Sequence, residues 1–174
     1  MTTEEFNTLF ESEVAVPLSE FGFKSRGKTL YWQDEERCLS LIRMSGRMQR
    51  PGAITHVACF RHNFLRDLNE VVPNAVSSEV FSYPFKFLPL AASAIQEYQP
   101  MNLKFDTESI DYSVAPSGVL DKLISLRTQM AYNHLPSAMK FSSARALEQI
   151  RLNGEGAWIE ALWIEDYEGH LENN

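Results

Sequence analysis

The stretch PLSEFGFKSRGKTLYW, residues 17–32, joins a helix to a strand and so decides how the chain begins to fold. Gly22 is the residue type that ends a helix in the left-handed conformation, and Phe23 is placed to fold back on Leu18, as in a Schellman motif. Residues 29–32 (TLYW) are rich in aromatic and β-branched side chains, which is typical of a strand. The sequence therefore predicts a helix-to-strand corner, and this corner carries three cations: Lys24, Arg26 and Lys28.

A helix is predicted before this corner. Thr2 followed by Glu5 has the spacing of a capping box, in which side chain and backbone satisfy each other at a helix start. Apolar residues then recur every three or four positions from Phe6 to Phe21, which is the spacing of one helical face. Pro17 falls inside this stripe and has no N–H, so we expect a kink or a short break there.

Three strands are predicted after the corner: KTLYWQ (28–33), RCLSLIRMS (37–45) and AITHVACFRH (53–62). The acidic residues 34–36 form a polar turn between the first two strands. In the third strand, the even positions from Ile54 to His62 share one face, and the odd positions from Thr55 to Arg61 share the other. Short connections between successive strands predict an antiparallel meander.

The rest of the chain is predicted as short elements of both kinds: a helix at 63–72, an aromatic segment at 79–90, one or two short strands at 102–114, and helices at 91–98, 117–132, 142–153 and 157–169. Two prolines restrict the aromatic segment to an edge strand or an extended cover. His134, beyond the end of one helix, is predicted to be a helix-end cation. These elements predict a single α+β domain over residues 1–174, with an N-terminal helix, an antiparallel sheet and C-terminal helices packed on the sheet.

The composition is that of a globular protein, because 44% of the 174 residues are hydrophobic and 22% are charged. No apolar run approaches the roughly 18 residues that cross a bilayer, so no membrane association is expected. The N-terminus is acidic and amphipathic, unlike a basic and then apolar signal peptide. We therefore expect a cytoplasmic protein. In that reducing compartment Cys38 and Cys59 are predicted to be buried free thiols, with a disulfide as the alternative.

Catalytic and metal-binding motifs are missing from the sequence. There is no P-loop, no glycine-rich dinucleotide fingerprint and no G-x-S-x-G elbow. His56 and His62 lie about 20 Å apart on a regular strand and cannot hold one ion. Two cysteines supply only half of a zinc site. We therefore expect no metal, no cofactor and no enzymatic activity, although a catalytic site assembled from distant residues stays open.

Charge is unevenly distributed along a chain whose net charge is −7. Residues 24–66 contain nine Lys or Arg and three acidic residues, whereas residues 155–174 contain six acidic residues and no Lys or Arg. Such asymmetry indicates either two binding surfaces of opposite charge or two regions that pair with each other in the fold.

Each charged region provides a candidate site. The acidic candidate, on the last helix, is predicted to face away from the core and to bind a protein partner through Glu155, Glu160, Glu165, Asp166 and Glu168. The alternative is that these acids only keep the helix soluble. The basic candidate is a sheet surface that binds an anion through Lys24, Arg26, Lys28, Arg43 and Arg61. Its alternative is a solvated sheet face, since charged residues also protect sheet edges.

The opening of the chain resembles an uncharacterised bacterial family, domain of unknown function 4304. In that family a Leu-rich helix runs into turns with Gly-Phe-Lys, followed by an aromatic strand. The matching residues are Pro17, Leu18, Gly22, Phe23, Gly27 and Tyr31. The resemblance covers about the first third of the chain and ends near His62. It implies an intracellular bacterial protein with an α+β fold, and it supplies no catalytic residues.

Two functions follow as hypotheses. The first is a non-enzymatic binding protein, for example an immunity-type protein whose acidic surface neutralises a cationic toxin such as a nuclease. The alternative is a protein that binds nucleic acid or a phosphorylated ligand at the basic sheet surface. The overall acidity of the chain, with a pI of about 5.1, weighs against nucleic acid.

Overall fold

The computed structural model describes residues 1–44, 50–90, 95, 97–100 and 109–174. The fold is α+β, with an N-terminal helical segment, an antiparallel sheet and C-terminal helices. The strands are β1 Lys24–Arg26, β2 Thr29–Gln33, β3 Arg37–Arg43, β4 Ala53–Ile54, β5 His56–His62, β6 Phe85–Phe87 and β7 Ile110–Asp111. The α-helices are α1 Thr3–Phe10, α2 Val16–Ser19, α3 Val119–Gln129, α4 Leu135–Lys140, α5 Ser143–Asn153 and α6 Trp158–Asn173.

The main sheet has the strand order β1-β2-β3-β5-β6, and every neighbouring pair is antiparallel. The predicted meander is therefore confirmed, and β6 is the edge strand that the two prolines indicated. Strands β4 and β7 form a separate two-stranded sheet. The predicted helix at 91–98 lies mostly outside the described residues.

The helix-to-strand corner has the predicted Schellman geometry. The N–H of Phe23 donates to the carbonyl of Leu18 at 3.2 Å, and the N–H of Gly22 donates to the carbonyl of Ser19 at 3.1 Å. Gly22 has a φ of +89°, in the left-handed region where a side chain is disfavoured. The corner thus ends α2 and directs the chain into β1.

Both long helical segments contain a π-helical turn just before a proline. Glu11–Ala15 separates α1 from α2 ahead of Pro17, and Met130–His134 separates α3 from α4 ahead of Pro136. A proline in a regular helix clashes with the carbonyl four residues earlier, and the wider turn gives that carbonyl room. The first turn is the predicted interruption. The second shows that the prediction of a helix ending before Pro136 was wrong, because the helical path continues to Lys140.

The two faces of the sheet carry two separate cores, as the alternation in β5 predicted. One face packs against the helices and includes Leu39, Leu41, Ala58 and Phe60. The other face has a smaller core in which the following residues are buried: Cys38, Ile42, Val57, Cys59, Val80 and Tyr83. The segment that follows β5 covers this second face. Its first part was predicted as a helix at 63–72, which is wrong, because the chain there forms turns.

The cysteines and His134 occupy buried positions. Cys38 and Cys59 are free and buried, as predicted, and they carry no disulfide. His134 was predicted to be a helix-end cation, but it is buried in the second π-helical turn, with Nε2 2.7 Å from the carbonyl oxygen of Pro89. Burial lowers the pKa of His134, so the neutral ring donates this bond.

The C-terminal helices differ from the prediction mainly at their ends. Ser142 caps α5 through a hydrogen bond from the N–H of Arg145 at 3.2 Å. Helix α3 starts after a 3₁₀ turn, with Gly118 at the N-cap, so it begins at Val119 and not at the predicted residue 117. Helix α6 continues to Asn173, beyond the predicted end at 169. Among the described residues, no helix has the length and apolar character needed to cross a membrane.

Candidate anion-binding groove

An open groove of about 1060 Å³ lies between the β1–β2 hairpin and the covering segment, residues 73–81. Residues 26–29 of the hairpin and 42–44 at the end of β3 form one wall. Residues 73–81 and Asp67 form the other. The cations in the lining are Arg26, Lys28 and Arg43, and the acids are Asp67 and Glu79. The groove therefore has a basic sheet wall and a mildly acidic covering wall.

The basic wall is built by a tight hairpin. Arg26 pairs with Thr29 across a two-residue turn, in which Gly27 has a φ of +58°. Left-handed residues are what such turns require, because they match the twist of the two strands. The turn places Lys28 at the surface with no hydrogen-bond or ion-pair partner among the described residues. Its ammonium group is therefore available to a ligand.

One hydrogen bond connects the two walls. Nη1 of Arg26 donates to the carbonyl oxygen of Val76 at 3.0 Å. The covering wall is further fixed by Tyr83, whose hydroxyl donates to the carbonyl of Ser77 at 2.7 Å and lies 2.9 Å from Oγ of Ser40 on β3. The groove is thus held open between two anchored segments, and sequence patterns gave no sign that residues 73–81 contribute to it.

The predicted basic sheet surface is split between the two faces of the sheet. Lys24, Arg26 and Lys28 are exposed together at the hairpin, as predicted. Arg43 and Arg61 were predicted to lie on the same side, and this is wrong. In the register, Arg43 lies opposite His56 and Arg61 lies opposite Cys38, so the two arginines occupy opposite faces.

Arg43 is directed toward the helices. Its Nη1 donates to Oδ1 of Asn7 on α1 at 2.7 Å, and its guanidinium carbon lies 5.5 Å from the centre of the Phe6 ring. Burial lowers the pKa of Arg43. Arg43 lines the end of the groove, but its guanidinium contacts Asn7 and Phe6 of α1.

Arg61 is buried on the second face, with 4% of its surface exposed. Its guanidinium donates to the carbonyl oxygens of His62 at 3.4 Å, of Ser82 at 3.1 Å, and of Leu65. The bonds to Leu65 and Ser82 tie β5 to the chain on either side of the covering segment. Arg61 was predicted to be part of an open surface, but it is an interior residue.

Glu160 was predicted to belong to an exposed acidic site, and this is wrong. It is buried, with 4% of its surface exposed. Its Oε2 accepts the backbone N–H of Glu155 at 2.8 Å and that of Gly156 at 3.2 Å. No side chain caps the start of α6, where Ala157 is the N-cap. Glu160 is the third residue of α6 and folds back toward the helix start, but it accepts the N–H groups of the two residues before the N-cap and not that of the N-cap itself, so it is not a capping box.

Three further acids of the predicted site form ion pairs within the chain. Asp166 accepts both the backbone N–H and Nε of Arg66, at 2.8 and 2.7 Å. Glu165 lies 3.1 Å from Nη2 of the same arginine, and Glu168 pairs with Arg151. Arg66 belongs to the basic region, residues 24–66, so the basic and acidic regions pair with each other in part within the fold. A protein partner for α6 stays a prediction that none of these contacts tests.

Among the described residues, no group of three or more His, Cys, Asp or Glu side chains is arranged to hold a metal ion. Comparison of the chain with family models, curated proteins and solved structures finds no match. The resemblance of the first third of the chain to a bacterial family therefore stays a prediction, and the groove itself is the basis for a functional proposal.

Proposed function

We propose that this protein is a binding protein for a small phosphorylated ligand, which it holds in the groove between the β1–β2 hairpin and residues 73–81. The observation that carries the proposal is the position of Arg26 and Lys28, which belong to one hairpin and both line a groove of about 1060 Å³. Paired cations at a backbone turn are typical of phosphate recognition, since they supply both charge and N–H donors.

The charge of the remaining molecule favours a small ligand over a nucleic acid. The chain has a net charge of −7, and Asp67 and Glu79 line the covering wall. A long polyanion would meet these carboxylates along its length and be repelled. A short ligand with few phosphate groups meets fewer of these carboxylates, because it does not run along the whole covering wall.

The cellular setting in this proposal is the cytoplasm of a bacterium. Both cysteines are buried and free, which suits a reducing compartment. The family resemblance of residues 1–62 implies the same setting. An immunity-type role is not favoured by any contact described above, because four of the five acids of the predicted partner site are engaged within the chain.

Calorimetric titration with inorganic tripolyphosphate tests this function. We expect saturable binding that weakens as salt is raised, because exposed charges are screened at physiological ionic strength. Lys28→Glu should weaken binding by about tenfold or more, since it replaces attraction with repulsion at the same point. Lys140→Glu makes the same charge change at an exposed position of α4, outside the groove, and should leave affinity nearly unchanged.

Two results would contradict the proposal. One is the absence of any binding of tripolyphosphate by the folded protein at millimolar concentration. The other is an equal loss of affinity in Lys28→Glu and Lys140→Glu, which would show that only the overall charge of the molecule matters.

A further inference from the structure

A second, smaller recess opens beside the groove on the same face of the sheet. It has a volume of about 80 Å³ and is lined by residues 73–77 of the covering segment together with Gln33, Cys38, Arg61, Asn63 and Tyr83. This is several times the roughly 10–15 Å³ that one water molecule needs. The recess therefore has room for a small polyatomic group.

Arg61 lines this recess as a buried cation that forms no ion pair among the described residues, and its interaction with the more distant Asp67 carboxylate is weak. No carboxylate among the described residues lies within ion-pair distance of its guanidinium. Arginine keeps its charge in proteins, and a buried charge without a partner is costly. The three backbone carbonyls that it contacts offer partial charges only. An anion in the recess would supply what the protein does not.

Unused donors of Arg61 match such an anion. Nη1 donates to the carbonyl of Ser82 and Nη2 donates to the carbonyl of Leu65, so one N–H on each terminal nitrogen has no acceptor in the described part of the chain. Two terminal N–H groups of a guanidinium are the donors that recognise a phosphate or carboxylate in the bidentate mode.

The recess and the groove are adjacent, because residues 73–77 line both cavities. A ligand that lies along this part of the covering segment would have Arg26 and Lys28 at one end and Arg61 at the other. The charges are arranged for a ligand with a terminal oxyanion and an extended body.

We propose that the recess at Arg61 is a phosphate subsite that takes the terminal phosphate group of the ligand, while the body of the ligand lies in the groove. This inference rests on the proposed function, since it assigns the orientation of the same ligand. It also explains why an arginine with no acidic partner is buried in the second face of the sheet.

Cys38 provides the test, because it lines the recess, whereas Cys59 does not. The wild-type protein is treated with a small methanethiosulfonate reagent, and modification of each cysteine is followed by mass spectrometry. Without phosphate we expect Cys38 to react faster than Cys59, since both are buried but Cys38 lines the recess. Inorganic phosphate at ten times its dissociation constant should lower the rate of Cys38 modification by about tenfold. Potassium chloride of equal ionic strength should not.

An Arg61→Met variant gives the second arm, because methionine keeps an apolar side chain in place of the buried arginine stem. If this variant folds, phosphate should no longer protect Cys38. The wild-type experiment stands without it. Cys38 that reacts no faster than Cys59, or that phosphate does not protect, would overturn the subsite.

The two proposals fail separately. Suppose that tripolyphosphate binding depends on Lys28 but phosphate does not protect Cys38. That result would support ligand binding in the groove and refute the phosphate subsite at Arg61. Protection of Cys38 by phosphate in wild type and in Lys28→Glu alike, without any effect of Lys28→Glu on tripolyphosphate affinity, would keep the subsite and refute the groove.

Discussion

Nη1 of Arg127 lies 3.0 Å from the carbonyl oxygen of Glu13 and 2.9 Å from Oε2 of the same residue. In a regular helix this carbonyl would accept the N–H of Pro17, which proline does not have. The π-helical turn before Pro17 moves the carbonyl outward, and Arg127 of α3 supplies the missing donor. The side chain of Arg127 thus supplies a donor to the carbonyl of Glu13 at the interruption of the N-terminal helix. The same contact joins this helix to the C-terminal helices.

Replacing Arg127 by methionine should destabilise the protein by about 1–3 kcal/mol, because the carbonyl of Glu13 loses its donor while partly buried. Urea unfolding followed by circular dichroism measures the change. Arg145→Met is the matched control, since the side chain of Arg145 forms an exposed ion pair with Glu148 on α5. That pair should contribute no more than about 1 kcal/mol. Equal losses in the two variants would show that the bond to Glu13 has no special role.

Replacing Glu160 by alanine should also destabilise the fold, by about 1–3 kcal/mol, because two N–H groups before α6 lose their acceptor. Glu172→Ala changes an exposed acid near the end of the same helix and should alter stability by less than about 0.5 kcal/mol. Thermal unfolding of both variants decides between a structural and a surface role. If Glu160→Ala were as stable as wild type, the original assignment of Glu160 to a partner surface would regain support.

Stability should fall as the pH is lowered from about 6.5 to about 4, and His62 is one cause. Its Nε2 lies 3.1 Å from the carbonyl of Phe141 and its Nδ1 lies 2.8 Å from the hydroxyl of Tyr167. The carbonyl can only accept, so Nε2 carries the proton and Nδ1 accepts from Tyr167. Burial lowers the pKa of His62 to about 4.

Because this pKa lies below that of an unfolded histidine, the unfolded chain binds more protons between these two values. The neutral ring therefore contributes fully to stability above pH 6.5 and loses its contribution as the pH falls. The slope from one such group is at most about 1.4 kcal/mol per pH unit. Urea unfolding of wild type and His62→Gln across this range is the measurement. Parallel stability curves would contradict the role of His62, while a shallower curve for the variant is expected.

Local chemistry made much of the fold predictable from the sequence. The Schellman corner depends on Leu18, Gly22 and Phe23, which lie within six residues of one another. Asp34 accepts the N–H groups of Glu36 and Arg37 at 2.8 and 2.6 Å, so the polar turn is also a local structure. The alternation along β5 needs only the two-residue period of a strand.

Features that depend on distant contacts were beyond sequence reasoning. The separation of Arg43 from Arg61 follows from the β3–β5 register, which no local signal reports. The helical path continues through Pro136 only because a π-helical turn precedes it, and no sequence signal predicted that turn. Glu160 has the spacing of an exposed acid on α6, but it is drawn inward because the start of that helix has no side-chain cap.

The candidate site was partly predictable for the same reason. Lys24, Arg26 and Lys28 belong to one hairpin, so their grouping was visible in the sequence. The opposite wall, residues 73–81, is brought to the hairpin by a hydrogen bond across fifty positions, between Arg26 and Val76. The recess at Arg61 is likewise formed only when this segment covers the second face of the sheet.

The most direct measurement is amide NMR of the protein titrated with inorganic tripolyphosphate, because it locates the ligand without any substitution. We predict saturable shifts concentrated at residues 26–28 and 74–81, with few changes along α6. Shifts concentrated on α6, or small changes spread evenly over the surface, would contradict a ligand-binding groove at the β1–β2 hairpin.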